Sequence, residues 1–133
     1  MSTSESRPEI DDDVIELAGL VFNAARAGDI EGMRSYLDAG VPVNLTNSAG
    51  DTLLMLASYH GHADLTALLV ERGADVNTSN DRGQTPLAGA AFKGYLEIFR
   101  ILAEAGADPD AGSPTGRDTA AFFKRQEMLD LLG

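Results

Sequence analysis

The sequence of 133 residues contains no cysteine. This absence excludes a disulfide framework, a thiolate nucleophile and a zinc site with thiolate ligands. The sequence also lacks an apolar run of the roughly 18 residues that a membrane-spanning helix needs. Its first residues show neither the basic region nor the apolar segment of a signal peptide. We therefore expect a cytoplasmic protein that does not bind a membrane.

Basic residues are also scarce. The chain has 10 Lys and Arg residues against 21 Asp and Glu residues, which gives a formal net charge of -11. A protein of this charge approaches a phosphate backbone against an unfavourable long-range field, so nucleic acid is not an expected partner. The same charge favours a partner with a basic surface, through the association rate more than through affinity.

A repeat of 33 residues organises what the sequence does contain. The stretch from 50 to 77 reads GDTLLMLASYHGHADLTALLVERGADVN, and residues 83 to 110 read GQTPLAGAAFKGYLEIFRILAEAGADPD. At this offset the loop glycines coincide, and Leu65 and Leu69 fall on Ile98 and Leu102. A period of this length, with two helical patterns in each unit, predicts a solenoid. The length of the chain predicts one domain with a core of its own.

Four units are expected, after a disordered acidic tail at residues 1–10. Two complete repeats span 47–79 and 80–112, between an atypical first unit at 11–46 and a truncated unit at 113–133. The residues 11–13, all aspartate, are expected at the N-terminus of the first helix, where unpaired amides favour negative charge. In the last unit the offset predicts Gly116 as the turn glycine and a helix from Thr119 to Arg125. Phe122 and Phe123 are expected to cover the open end of the stack.

This pattern resembles the ankyrin repeat family. The matching residues are Thr85-Pro86-Leu87, Ala90-Ala91, Gly61-His62 and Gly73-Ala74-Asp75-Val76-Asn77. The resemblance covers the chain from about residue 14 to its end. It implies an all-α solenoid of about four helix-turn-helix units with β-turn-like connecting loops. In the family a histidine usually follows Thr-Pro-Leu and ties neighbouring turns together. Met55 and Ala88 stand in its place here, so looser turns are expected.

The resemblance also implies a function. Ankyrin-like proteins bind other proteins, so we expect a non-catalytic accessory or regulatory protein that binds a folded protein partner through its concave face. Contacts in the family come from the turns and from the last residues of each first helix. The corresponding residues here are Arg26, Ser48, Asp51, Tyr59, His60, Asp81, Arg82, Gln84, Phe92, Lys93, Arg117 and Arg125.

Tyr59 and Phe92 are the most informative of these residues. They occupy equivalent positions in adjacent units and are expected to stand side by side. Aromatic residues and arginines are the commonest energetic anchors of interfaces, so both rings are candidate anchors. The alternative interpretation is that each ring only shields the end of its helix.

His60, His62 and Asp64 permit another interpretation, a metal site or a general base with its carboxylate. Two arguments oppose it: residues two apart on a helix diverge, and Gly61 is expected to end the helix between the histidines. We therefore expect no catalytic, cofactor-binding or metal-binding residue and a monomeric protein. An enzyme or metal-binding protein that uses this region is one alternative. Homo-oligomeric assembly through the end repeats is the other.

Overall fold

A computed structural model describes residues 12–133 of the chain. The predicted tail at residues 1–10 lies outside this range. Within the range the chain forms only helices and loops, which confirms the all-α solenoid. The helices are α1 (Asp12–Ala27), α2 (Ile30–Asp38), α3 (Leu53–Tyr59), α4 (Ala63–Glu71), α5 (Pro86–Lys93), α6 (Leu96–Glu104), α7 (Gly116–Phe122) and α8 (Gln126–Leu131). None of these helices combines the length and the apolar character that crossing a bilayer requires.

Three of the first helices begin at a threonine. The hydroxyl oxygens of Thr52, Thr85 and Thr115 accept hydrogen bonds from the backbone N–H three residues further on, at 3.0, 3.2 and 2.9 Å. Each bond satisfies one of the N–H groups that the first turn of a helix leaves unpaired. Such a cap contributes about 1 kcal/mol to the stability of its helix. The threonines before α3 and α5 thus have the role that the repeat predicts.

The helices pack in two layers. The layer of first helices contains α1, α3, α5 and α7, each packed on the next, and the outer layer contains α2, α4, α6 and α8. Ala57, Ala90 and Ala120 have no exposed surface and let the first helices approach one another closely. Large aliphatic side chains such as Leu65 and Ile98 fill the space between the layers. Each such side chain, when fully buried, contributes about 1.5–3 kcal/mol.

The fourth unit begins three residues earlier than the 33-residue offset predicts. Thr115 caps α7, and the helix starts at Gly116, which the offset assigned to the turn. The cause is a shorter connection between the third and fourth units. Residues 105–115 make eleven residues there, whereas residues 39–52 and 72–85 make fourteen in each earlier connection. The predicted helix from Thr119 to Arg125 is therefore wrong in its register.

An offset of 30 residues relates the third unit to the fourth. With it, the buried Met128 takes the place of the buried Ile98. Phe122 takes the place of Phe92, and Arg125 takes the place of Tyr95. The expectation that Phe122 and Phe123 cover the end of the stack is also wrong. Both stand at the C-terminal end of α7, where 78% and 39% of their surfaces are exposed.

The turns between units are joined by hydrogen bonds, in contrast to the looser turns expected. The backbone N–H of Asp81 donates to Ala49 O at 3.0 Å, and that of Ser113 donates to Gly83 O at 3.0 Å. Asparagines add a second set of bonds lower in the loops. Their Oδ1 atoms accept from the backbone N–H 31 residues further on, at 2.8 Å for Asn44 and 2.7 Å for Asn77. These bonds join the turns without the histidine of the family pattern.

Candidate functional site

The layer of first helices carries a depression of about 510 Å³, which we call the concave pocket. It extends from the turns before α3 and α5 to the C-terminal ends of these helices. The predicted contact residues that line it are Asp51, Tyr59, His60, Arg82, Gln84 and Phe92. The other lining residues are Met55, Leu56, Ser58, Thr85, Pro86, Ala88, Gly89, Pro114 and Thr119. The structure thus brings six of the twelve predicted residues together on one surface.

Small residues on α5 give the pocket its depth. Gly89 has no side chain, and a Cβ atom placed there would lie 3.3 Å from Cδ1 of Tyr59. The tyrosine ring therefore rests close to the backbone of α5. Ala88 and Met55, which replace the histidines of the family pattern, make the floor apolar. A partner side chain that enters here meets hydrocarbon and an aromatic ring.

Asn80 organises the turn side of the pocket, and sequence reasoning missed it. Its side chain is 6% exposed. Nδ2 donates to Asp51 Oδ1 at 2.9 Å and to Gln84 Oε1 at 2.8 Å. Oδ1 accepts from the backbone N–H groups of Arg82 and Gln84 at 2.9 and 3.0 Å. A signal was present in the sequence, because Asn47 stands 33 residues earlier and its Oδ1 accepts bonds in its own turn.

Aromatic rings form the opposite side of the pocket, at the ends of the helices. Tyr59 and Phe92 are 41% and 52% exposed. The nitrogen of Lys93 lies 4.8 Å from the centroid of the Tyr59 ring. The Phe92 ring meets the edge of Phe123 instead of Tyr59, with centroids 5.6 Å apart. Both predicted rings line the pocket, and a lysine side chain lies over the first of them.

The other predicted contact residues stand outside the pocket. Arg26 ends α1 and donates to the side chain of Asn23 at 3.0 Å. Ser48 and Asp81 are exposed in the turns, and Lys93 is exposed at the end of α5. These residues surround the pocket on both of its sides.

Arg117 and Arg125 were chosen with the 33-residue offset, which does not hold in the fourth unit. Arg117 lies in the first turn of α7 and pairs with Asp110, Nε to Oδ1, at 2.9 Å. The hydrogen bond from that carboxylate, followed by its charge, raises the pKa of Arg117. Arg125 donates from Nε to Ala91 O at 2.7 Å and from Nη2 to Phe92 O at 3.2 Å. Its guanidinium is therefore engaged with the last turn of α5.

The two histidines serve different places. Nε2 of His62 lies 2.6 Å from the carbonyl oxygen of Arg26, to which it donates a hydrogen bond. His60 is exposed at the end of α3, on the other side of Gly61, which has a φ of +84°. Asp64 is exposed in the first turn of α4. Across residues 12–133 no group of three or more His, Cys, Asp or Glu side chains is arranged to hold a metal ion.

Comparison with known proteins gives three matches. Residues 21–113 match a family model described as ankyrin repeats in three copies. A protein of Pseudomonas aeruginosa, named as an ankyrin repeat protein, is 47% identical over 66 residues, which are 50% of this chain and 39% of that protein. The 60 kDa lysophospholipase of Mus musculus is 36% identical over 56 residues, which are 42% of this chain and 10% of that enzyme. The chain thus spans less than half the length of each relative.

Proposed function

Because the chain belongs to the ankyrin repeat family, we propose that it is a non-catalytic module that binds a folded protein partner at the concave pocket. Ankyrin repeats are generally protein-protein interaction modules, and the family is typically non-enzymatic. The observation that carries the proposal is the position of six candidate contact residues around one apolar-floored depression. A depression in the layer of first helices is the extended binding surface that a solenoid offers.

The two aromatic side chains support this proposal energetically. Tyr59 and Phe92 are attached to helices whose other faces are buried in the core, so their backbones are already ordered before binding. Ordering such residues costs little further entropy, and a rigid anchor retains more of its contact energy. Large aromatic residues at the centre of an interface contribute most often to its affinity.

We further propose an accessory or regulatory role in the cytoplasm, with the chain acting as a monomer. In this proposal the complete repeats at 47–79 and 80–112 supply most of the binding surface. The first unit at 11–46 and the short unit at 113–133 protect the ends of the core. The partner that this surface holds can be an enzyme that the chain inhibits or a protein that it stabilises.

The test is a pair of alanine substitutions on an identified partner. Affinity purification of the full chain from its native host, followed by mass spectrometry, supplies the partner. Tyr59→Ala and Phe92→Ala should each weaken its affinity by more than about 1 kcal/mol, or roughly fivefold. Arg34→Ala, on the outer helix α2, is the matched control and should leave the affinity unchanged. Equal affinities for all four proteins would refute the site.

A second candidate function, self-association through the first unit, has its own observation. Ile15, Leu17 and Leu20 on α1 are 58%, 42% and 51% exposed. The equivalent of Leu20 in the second unit is Leu53, which is completely buried. Light scattering of the full chain decides between the candidates. A dimer mass that Leu20→Glu converts to a monomer mass would favour assembly, and a monomer mass at all concentrations would exclude it.

A further inference from the structure

Four of the eight aromatic side chains stand at the C-terminal ends of first helices, on one side of the concave pocket. Together with two lysines they form what we call the helix-end row. Its members are Tyr59, Phe92, Lys93, Phe122, Phe123 and Lys124. Because Phe122 falls outside the 33-residue offset, the row becomes apparent only in the corrected register of the fourth unit.

Contacts between side chains make the row continuous across three units. Lys93 reaches back over the Tyr59 ring, with 4.8 Å between its nitrogen and the ring centroid. The Phe92 ring packs edge to face on Phe123 at 5.6 Å, and Phe123 packs the same way on Phe122 at 5.0 Å. The rings remain 39–78% exposed, so they hold one another in place while keeping surface available.

The row carries positive charge and no carboxylate. In each unit we consider the last residue of the first helix and the two residues that follow in its equivalent positions: 26–28, 59–61, 92–94 and 122–124. These twelve positions contain Arg26, Lys93 and Lys124 and no acidic residue, in a chain with 21 acidic residues. The turn side of the pocket differs, because Asp51 and Asp81 stand there beside Arg82. The helix-end side is therefore the positive side of the pocket.

Lys124 occupies a backbone conformation that favours glycine. Its φ is +57°, and it is the non-glycine residue with positive φ in residues 12–133. Gly28, Gly61 and Gly94 hold the equivalent position in the other units, with φ of +74°, +84° and +81°. A side chain in this region costs about 1 kcal/mol. Residues held in such conformations cluster at functional sites, and this one is exposed at the end of the row.

We propose that the helix-end row binds an acidic segment of a partner protein that carries an apolar anchor side chain. The apolar side chain would pack on the rings of Tyr59 and Phe92, and carboxylates beside it would pair with Lys93 and Lys124. Rings next to the lysines exclude water, which strengthens each ion pair. The inference rests on the proposed function, because it names the chemistry of the partner at the same pocket.

The net charge of the chain sharpens the choice of occupant. A row of aromatic and basic side chains also suits single-stranded nucleic acid. The net charge of -11 opposes a polyanion along its whole length. A short acidic segment needs only the local positive field, and the rest of its protein can be basic. The structure therefore favours a protein segment over an oligonucleotide.

A phage-displayed library of random dodecapeptides, selected on the full chain, tests the proposal. Selected peptides should contain Asp or Glu within a few residues of Leu, Phe or Trp. Fluorescence anisotropy then measures their affinities for variants of the chain. Lys93→Glu and Lys124→Glu should each weaken binding at least about fivefold, as partly desolvated ion pairs at interfaces do. Arg34→Glu makes the same change of charge on the outer layer and should change binding less than about twofold. A mixed-sequence single-stranded oligonucleotide should not bind.

The outcomes separate this inference from the proposed function. If Tyr59→Ala and Phe92→Ala weaken binding of the native partner while both lysine reversals leave it unchanged or stronger, the acidic segment is refuted and the binding site stands. If none of these four substitutions changes the affinity, both proposals fail. Selection of basic peptides only, no selection at all, or tight binding of the oligonucleotide would also overturn the inference.

Discussion

His62 at the start of one unit's second helix donates to the carbonyl oxygen of Arg26 at the end of the preceding unit's first helix, with 2.6 Å between the atoms. The same place is held by Arg125 in the last unit, which donates to the last turn of α5. Unit is thus joined to unit by a side chain that reaches back to carbonyl groups left unpaired at a helix end. The His62 ring is structural, and this use removes it from the metal site considered from the sequence.

Loss of this bond should weaken the stack. We expect His62→Ala to lower the free energy of unfolding by about 1 kcal/mol, the typical value of one hydrogen bond. Urea denaturation measures the change. The control is His60→Ala, two residues away and exposed, for which we expect a change of less than about 0.5 kcal/mol. Equal losses in the two variants would contradict the structural role of His62.

Gly28 provides the space that the His62 ring occupies. A Cβ atom at Gly28 would lie 2.5 Å from Nδ1 of that ring, and φ is +74°. Gly28→Ala should therefore cost about 2 kcal/mol, from the left-handed backbone and from displacement of the histidine. Gly73→Ala is the control, because φ there is +90° and a Cβ atom would meet nothing within 4 Å. It should cost only about 1 kcal/mol. Similar losses at the two sites would show that the ring moves freely.

Lys124 should lower stability because of its backbone conformation. We expect Lys124→Gly to raise the free energy of unfolding by about 0.5–1 kcal/mol, since glycine adopts this conformation without the steric cost. Lys124→Ala removes the same charge, keeps the cost and should not stabilise the chain. Both changes should weaken binding of an acidic peptide to the helix-end row. Stabilisation by alanine as well as by glycine would assign the effect to the charge.

Asn80 should be the most sensitive polar residue of the pocket. Its side chain makes four hydrogen bonds that fix the turn containing Arg82 and the side chains of Asp51 and Gln84. Asn80→Ala should lower the free energy of unfolding by about 2 kcal/mol, because buried partners lose their bonds. Ser48→Ala, at an exposed turn position, should change it by less than about 0.5 kcal/mol. A small loss at Asn80 would mean that water replaces its bonds.

The repeat explains how much of this fold the sequence predicts. Thr52 and Thr85 could be assigned as caps because the same residue precedes both helical patterns. The register of the fourth unit could not, because the offset of Gly116 from Gly83 equals one full period by coincidence. Shortening a loop by three residues leaves the helix pattern intact, so the sequence itself offers only a weak signal. The structure resolves the choice because Thr115 forms the cap.

The candidate site follows the same division. Residues of the two complete units, such as Tyr59, Arg82 and Phe92, could be chosen from position alone. Arg125 could not be placed, because an error of three residues exchanges the surface position of Phe122 for an internal one. The relation of Lys93 to the Tyr59 ring depends on side-chain conformation, which a sequence pattern does not contain. Such contacts require the packed neighbours.

The most direct measurement of the central claim is photo-crosslinking in the complex with the native partner. A benzophenone amino acid is placed at residue 92, on the concave side, or at residue 67, an exposed position on the outer helix α4. We expect a crosslink to the partner from residue 92 and none from residue 67. Crosslinking from residue 67 alone would place the partner on the outer layer and contradict the account.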